Sequence, residues 1–399
     1  MSVTRSRVRD DIDEILPGVV ADRRHLHQHP ELGFQEVETA RFVEERLRAI
    51  GIQEVQTGIA TTGLTGLIRG GKGPGKVVLL RADMDALPIH EQNDVEYKSL
   101  HDGVMHACGH DVHATWAVGA AMLLRKVPAE GDVVILLQPA EEAAEGAAAV
   151  LESGALDGVS AIFGGHVDRR YQVGQVVAQV GPVAASADFF EIEITGAGGH
   201  GARPHECADP IVGAGALIGA IQTLIARRLD PAVPGVVTVA TVHAGTADNI
   251  IPDRATLTGT VRAVDPKSRA FLLEELRHLS EGVAAAHRLL ARVTFAQGTP
   301  PIVNLPGPTA WASDAVGAVL GTGAEVPLAG TNMGGEDFAF YLERMPGCFL
   351  RIGAREPKGS WLPAHSPGFY AAEESVFVGA AVLAETARRA TAELSRPQS

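Results

Sequence analysis

Short apolar runs that stop abruptly at acids, cysteine or histidine narrow the fold of this chain more than any other feature. Val77 to Leu80 runs into Arg81-Ala82-Asp83-Met84-Asp85, Val133 to Leu137 into Gln138-Pro139-Ala140-Glu141-Glu142, and Ala161 to Phe163 into Gly164-Gly165-His166. Runs of three to five apolar residues such as these read as strands buried on both faces. Between them lie helical patterns. Val37, Ala40, Val43, Leu47 and Ile50 recur at three- and four-residue steps before Gly51, and Ala114 to Val127 is an apolar helix. Strands alternating with helices imply an α/β layer with both sheet faces covered, and such sheets place their sites beyond the carboxyl ends of the strands. With 46% hydrophobic and 21% charged residues in 399, the chain can bury a core of this kind without cross-links.

The middle of the chain has a different rhythm. Phe190, Ile192 and Ile194 alternate with Glu191, Glu193 and Thr195, a strand with one buried face. A helix from about Pro210 to Arg227 follows, then strands at Val236 to His243 and Ala255 to Val264, a helix at Pro266 to His287 and a strand at Arg292 to Ala296. The order β-α-β-β-α-β is that of the ferredoxin-like split unit. Residues 183–298 are therefore expected to form an inserted domain, and 1–182 with 299–399 a discontinuous α/β domain. In the last part, Asp314 to Leu320, Glu336 to Arg344 and Glu373 to Leu394 read as helices and Cys348 to Ile352 as a strand. Gly70 to Gly75 is a turn that lacks the spacing of a phosphate-binding loop.

Chemistry concentrates in Met105-His106-Ala107-Cys108-Gly109-His110-Asp111-Val112-His113. Thiolate and imidazole are ligands of zinc and similar divalent ions. Cys108 and His110 are two residues apart, and an extended segment would turn both side chains the same way. Glu141 and Glu142 sit side by side after a buried strand. Adjacent carboxylates repel unless a cation or proton intervenes, so one can ligate while the other accepts a proton. His166 and His365 could complete such a centre, although a lone loop histidine is ordinarily only solvated. In the inserted domain, Gly198 to His205 surrounds His200 with glycines, and Asn249 and Arg262 are its other polar candidates.

Taken in order, His27 to Leu32, Arg81 to Pro88, Met105 to His113, Gln138 to Glu142, Gly199 to His205, Asn249 to Asp253, Gly334 to Phe338 and His365 to Pro367 resemble the M20 metallopeptidase superfamily, in its aminoacylase, hippurate hydrolase and auxin-conjugate amidohydrolase branch. The resemblance runs from about residue 20 to 390. It implies a zinc-peptidase-like catalytic domain with a ferredoxin-like lid that mediates a homodimer or homotetramer. It also implies two divalent ions per subunit, zinc or manganese, with cobalt or nickel admitted by the same donors. Carried over residue by residue, Cys108, His110, Glu142, His166 and His365 would hold the ions, with Cys108 shared. Glu141 would be the general base, and His200 would steady the oxyanion in the neighbouring subunit's site. Asn249 and Arg262 would meet the substrate carboxylate, and Asp83 would orient a ligand. The reaction implied is hydrolysis of an N-acyl-amino acid to a carboxylic acid and a free amino acid. Ala364 and Val167 to Tyr171 depart from the usual pattern and leave substrate identity open.

Other classes fit less well. A net charge of −14 disfavours nucleic acid and anionic membrane as partners. The apolar stretch Ile211 to Ile221 is short for a membrane span, Met1 to Arg24 contains no apolar signal-peptide run, and three widely spaced cysteines form no disulfide framework, so a cytoplasmic protein is expected. A thiol hydrolase built on Cys108 and His110 would leave the Glu pair unused. A closed structural metal site would have no spare carboxylate. A dipeptidase or carboxypeptidase of the same superfamily is the nearest alternative.

Overall fold

The computed structural model describes residues 3–73 and 75–396, with side chains from Glu14 onward except Gln297; Pro74 of the Gly-rich turn lies outside them. In chain order the principal elements are α1 (Val3–Gln28), α2 (Val37–Ala49), β1 (Val55–Ile59), β2 (Gly63–Ile68), β3 (Val77–Asp83), α3 (His110–Lys126), β4 (Val133–Gln138) and β5 (Val159–Gln172). They continue with β6 (Ala187–Thr195), α4 (Pro210–Thr223), β7 (Gly235–Ala244), β8 (Arg254–Ala263), α5 (Pro266–Ala286), β9 (Leu290–Thr299), α6 (Pro306–Leu320), β10 (Gly347–Arg355) and α7 (Glu374–Leu394). The chain divides into two compact units, 1–181 with 304–330 and 337–399, and 182–303 with 331–336.

Among the described residues the first unit is built on a seven-stranded mixed sheet, ordered β1-β2-β4-β3-β5-β10 with Val176–Val177 at the edge. The pairs β4/β3, β3/β5 and β5/β10 are parallel. These central strands are buried along nearly their whole length, as strands covered on both faces are, and open with apolar runs before Arg81, Gln138 and Arg351. Helix α3 is buried all round, from His110 to Ala121 and again at Leu123 and Leu124, and lies against α7. The crossing is tight. A Cβ on Gly379 would stand 2.2 Å from Cε3 of Trp116, a side chain with no exposure.

The second unit has the split topology expected of it. Its four-stranded antiparallel sheet runs β7-β8-β6-β9, and α4 and α5 pack on one face through Leu217, Ile221, Leu272 and Leu276. Its bounds differ from the 183–298 read along the sequence. β9 runs on to Thr299, and Asn332 bonds back to this unit, accepting from Ala185 N–H (2.7 Å) and donating to the Val183 carbonyl (3.1 Å). A local pattern cannot reveal a segment that returns thirty residues later. The helix expected from about Pro210 to Arg227 is found, α4 being continued by a π-helical turn, Leu224–Arg228, beyond the apolar stretch Ile211 to Ile221. Among the described residues this one helix, Pro210–Arg228, has the length and composition of a membrane span; a third of the 18-residue window is buried, and the sheet covers its inner face.

Two further local readings change. β5 does not stop at His166 but continues to Gln172, because β10 keeps pairing with it as far as Arg355 after β3 has ended. Glu336 to Arg344 is helical only over Ala339–Leu342.

The α3–α7 crossing supports a stability test. Gly379→Ala drives a methyl into a rigid indole, and overpacking of this kind costs about 1–3 kcal/mol. Urea unfolding should show that loss; a change below about 0.5 kcal/mol would mean the two helices separate without strain.

Candidate metal centre

The first unit gathers its polar side chains beyond the ends of β3 and β4. Cys108 reaches the site through a backbone reversal and not through an extended segment. Gly109 has φ +92°, a left-handed conformation open to glycine, and a Cβ there would lie 2.5 Å from Val167 Cγ2. His110 is then the first residue of α3. The residue flanking the helix is Gly109, and Asp111 lies inside it.

The donors converge. Ligand atoms of Cys108, His110 and His166 lie within 4.8 Å of one another, as do those of Cys108, Glu142 and His365, and of His110, Glu141 and Glu142. Cys108 belongs to two of these groups. Its Sγ is 3.2 Å from His166 Nε2. His365 Nε2 is 3.3 Å from Glu142 Oε1, and His110 Nε2 is 3.9 Å from carboxylate oxygens of both Glu141 and Glu142. The five residues expected to hold metal and the expected base thus come together in one unit.

Backbone acceptors set the histidine tautomers. His110 Nδ1 donates to the Asp85 carbonyl (2.9 Å) and His166 Nδ1 to the Val167 carbonyl (2.7 Å), so both rings turn Nε2 to the site as the ligating nitrogen. The donor set also has unmet needs. His110 Nε2 is buried without a hydrogen-bond partner, and buried Glu142 Oε1 faces the His365 ring at 3.3 Å. Burial pushes the Cys108 thiol up and holds His166 well below the usual imidazole range. Burial also opposes charge on His110, yet Asp83 and Asp85 raise it well above that range. Bonds to Cys108 and Glu142 raise His365 to about 10. Thiol, imidazole and carboxylate around an unpartnered buried nitrogen fit divalent ions of the zinc type.

His113, inside the same motif, is already committed. Its Nε2 accepts from Val167 N–H (3.0 Å), so the proton is on Nδ1, which donates to Asp83 (2.6 Å). Asp83, expected to orient a ligand, makes its histidine hydrogen bond to His113 and none to His110. It lies 3.8 Å from His110 Nε2 and is held by His113 and by Arg81, which also binds Gln138 and Asp337 in a buried cluster. Asp85 is the carboxylate that sequence reasoning missed. One of its oxygens is 3.1 Å from His110 Nδ1 and the other accepts from Glu142 N–H at 3.0 Å. Only its place beside Asp83 in the same motif could have pointed to it.

Outer contacts fix the remaining loops. Ala140, just before the Glu pair, has φ +51°, and its N–H is bonded to Glu36. His365 has φ +62° and is pinned through its N–H to the Ala107 carbonyl (2.9 Å). Such conformations persist only where the surroundings impose them. Beneath Cys108 and His110, Asp111 is paired with buried Arg23 and His27, each at 2.8 Å.

The other expected residues lie in the second unit. His200 is exposed on a two-residue strand opposite Ile250, and its Nδ1 accepts from Ala202 N–H (3.1 Å), which leaves Nε2 as a donor. The Asn249 carbonyl accepts from Gly201 N–H (2.8 Å), so these two residues share one loop pair. Arg262 stands on β8 with its guanidinium carbon 6.0 Å from the Phe189 ring.

Residues 79–389 match the model of peptidase family M20/M25/M40. The chain is 39% identical over 381 residues to thermostable carboxypeptidase 2 of Saccharolobus solfataricus, covering 94% of this chain and 95% of that one. It is 40% identical over 372 residues to N-acetylcysteine deacetylase of Bacillus subtilis, covering 92% and 94%. The YXEP protein of Bacillus subtilis, a dinuclear metal-binding peptidase of the M20 family, superposes with a TM-score of 0.85 at 37% identity, over 95% of this chain and 99% of that chain.

The geometry separates the two aspartates experimentally. Asp85→Ala keeps the backbone carbonyl bond to His110 Nδ1 but removes the carboxylate beside that ring and the acceptor of the Glu142 N–H, and loss of such an orienting partner typically weakens metal binding 10–100-fold. Asp83→Asn leaves buried Arg81 short of charge and should lower stability by about 3–5 kcal/mol. Metal titration of the stripped proteins and urea unfolding read the two effects. If Asp83→Asn were the variant that lost metal affinity while Asp85→Ala kept it, the assignment would be reversed.

Proposed function

The chain belongs to peptidase family M20/M25/M40, and from this membership and the shared donor set we infer that it is a metal-dependent amidohydrolase that cleaves N-acyl-amino acids to a carboxylic acid and a free amino acid. The single observation that carries the reading is a second carboxylate beside the donor set. Glu141 lies beside Glu142, Cys108, His110, His166 and His365 as one acid more than a closed structural site would have. A carboxypeptidase acts on the same bond type, since the residue it releases is itself an N-acylated amino acid.

Bound at these donors, two divalent ions would supply the charge that acidifies a water and polarises the amide carbonyl. Zinc or manganese is the proposed occupant, and cobalt and nickel fit the same donors. The Glu141 carboxylate takes the proton of the attacking water. The same oxygen then delivers it to the leaving nitrogen as the C–N bond breaks, so the amine departs neutral. His200 donates from Nε2 to the oxyanion, and Asn249 with Arg262 receives the substrate carboxylate.

Chelation should abolish activity, and added divalent ions should restore it. Glu141→Gln should retain its metal and lose roughly 10²–10⁴-fold in kcat. Glu142→Gln should lose metal occupancy. Turnover by fully stripped protein, or the opposite behaviour of the two variants, would overturn the assignment.

The proposed assembly is a homodimer or homotetramer through the lid. In its support, β7 is a ten-residue edge strand with Val236 and Val242 exposed, and Ile211 and Val212 leave an apolar patch on α4. In such a dimer His200 serves the partner's site. Mixing His200→Ala with Glu141→Ala subunits then gives mixed dimers with one working site of two. Random pairing makes about half of the dimers mixed, so activity should recover to ~25% of wild type. No recovery after proven subunit exchange would place His200 in its own chain's site.

A further inference from the structure

The open face of the lid sheet holds a group that the reaction leaves unused. β8 buries Ala255, Leu257, Val261 and Ala263, so Thr256, Thr258, Thr260 and Arg262 line the opposite face. β6 buries Phe190, Ile192 and Ile194 and leaves Phe189, Glu191 and Glu193 on that same face. Phe189 is 48% exposed, and its ring centre is 6.0 Å from the Arg262 guanidinium carbon.

Arg262 is a half-buried cation that lacks a counter-ion. Among the described residues it makes no hydrogen bond or ion pair. Burial lowers its pKa, and the nearest opposing charge, Asp188, is bound by Arg269 at 2.7 and 3.0 Å. The segment beside Arg262 is close-packed. A Cβ on Gly335 would stand 3.7 Å from Arg262 Nη1 and 2.6 Å from Thr299 Oγ1. A guanidinium held free in this way is a receptor for an anion that arrives with a ligand.

Resting on the reading of Arg262 as the receptor for the substrate's α-carboxylate, we propose that Phe189 is the contact surface for the side chain of the released amino acid and selects apolar residues over acidic ones. A carboxylate paired with the guanidinium at ordinary N–H···O distances has its carbon about 4 Å from the guanidinium carbon. The α-carbon is one bond further and the side chain branches from it, within the span between Arg262 and the Phe189 ring. An apolar side chain covers the exposed ring and removes both surfaces from water. An acidic one meets the negative face of the ring and, two residues along the same strand face, Glu191.

The test uses the metal-loaded full chain and N-acyl derivatives of glycine, leucine and aspartate, with one acyl group that the wild type turns over. Wild type should prefer leucine to aspartate by roughly 10–200-fold in kcat/KM. Phe189→Ser should cut the leucine-to-glycine ratio by about tenfold, chiefly through KM, and Phe189→Leu should keep most of it. A ratio left unchanged by Phe189→Ser, whether activity is kept or lost equally on all substrates, would overturn the proposal. A wild-type preference for aspartate would do the same. Arg262→Ala on the glycine substrate tests the carboxylate reading by itself, because glycine has no side chain to contact Phe189. Undiminished activity there would end that reading whatever the Phe189 ratio shows.

Discussion

The candidate centre depends on one carboxylate that lies outside its donor groups. Asp85 stands just past the end of β3 and binds in two directions, to the ring of His110 at the start of α3 and to the backbone N–H of Glu142 beyond β4. Those two ligands, residues 110 and 142, come from separate segments of the chain. Without a shared partner, their separation would follow loop conformations, and loops are the least constrained part of an α/β layer. With it, the distance between imidazole and carboxylate is referred to β3, a buried central strand paired on both sides. A metal site needs its donors held in a defined geometry, and Asp85 ties two of them to one strand end.

A second layer of charge lies under the first. Arg81 ties Asp83, Gln138 and Asp337 together, and Arg23 with His27 holds Asp111. Buried ion pairs of this kind add little net stability, because desolvation consumes most of the attraction. Their value is directional. Each fixes the end of a strand or helix from which a donor projects, and each becomes costly if one partner is removed. His365 is the donor most open to solvent, at 53% exposure, and it is anchored by its backbone through Ala107.

Much of this was legible in the sequence because period and punctuation are local. The buried strands before Asp83 and Glu141, helix α2 and the β-α-β-β-α-β order could all be read from spacing. What escaped was long-range. Cys108 and His110 converge through the left-handed turn at Gly109, which depends on Val167 packing against it, and not through alternation along an extended segment. Asp83 and Asp85 are two residues apart in one motif, and only the hydrogen bonds tell which faces His110. His113 looked as eligible as His110 until Val167 N–H occupied its second nitrogen. The return of 331–336 to the second unit left no local pattern at all.

The division of labour between the units bears on how such a chain can change specificity. Every proposed metal ligand and the proposed base belong to the first unit, while His200, Asn249, Arg262 and Phe189 belong to the second. Metal donors are intolerant of substitution, since each loss leaves a buried charge or lone pair unmet. The open face of the second unit's sheet is under no such constraint. Thr256, Thr258, Thr260 and Phe189 are directed away from that unit's core, so replacing them creates no cavity there. On the proposed roles, recognition can vary in the second unit while the proposed metal centre stays fixed. Relatives about 40% identical over nearly the whole chain bear names as different as thermostable carboxypeptidase 2 and N-acetylcysteine deacetylase.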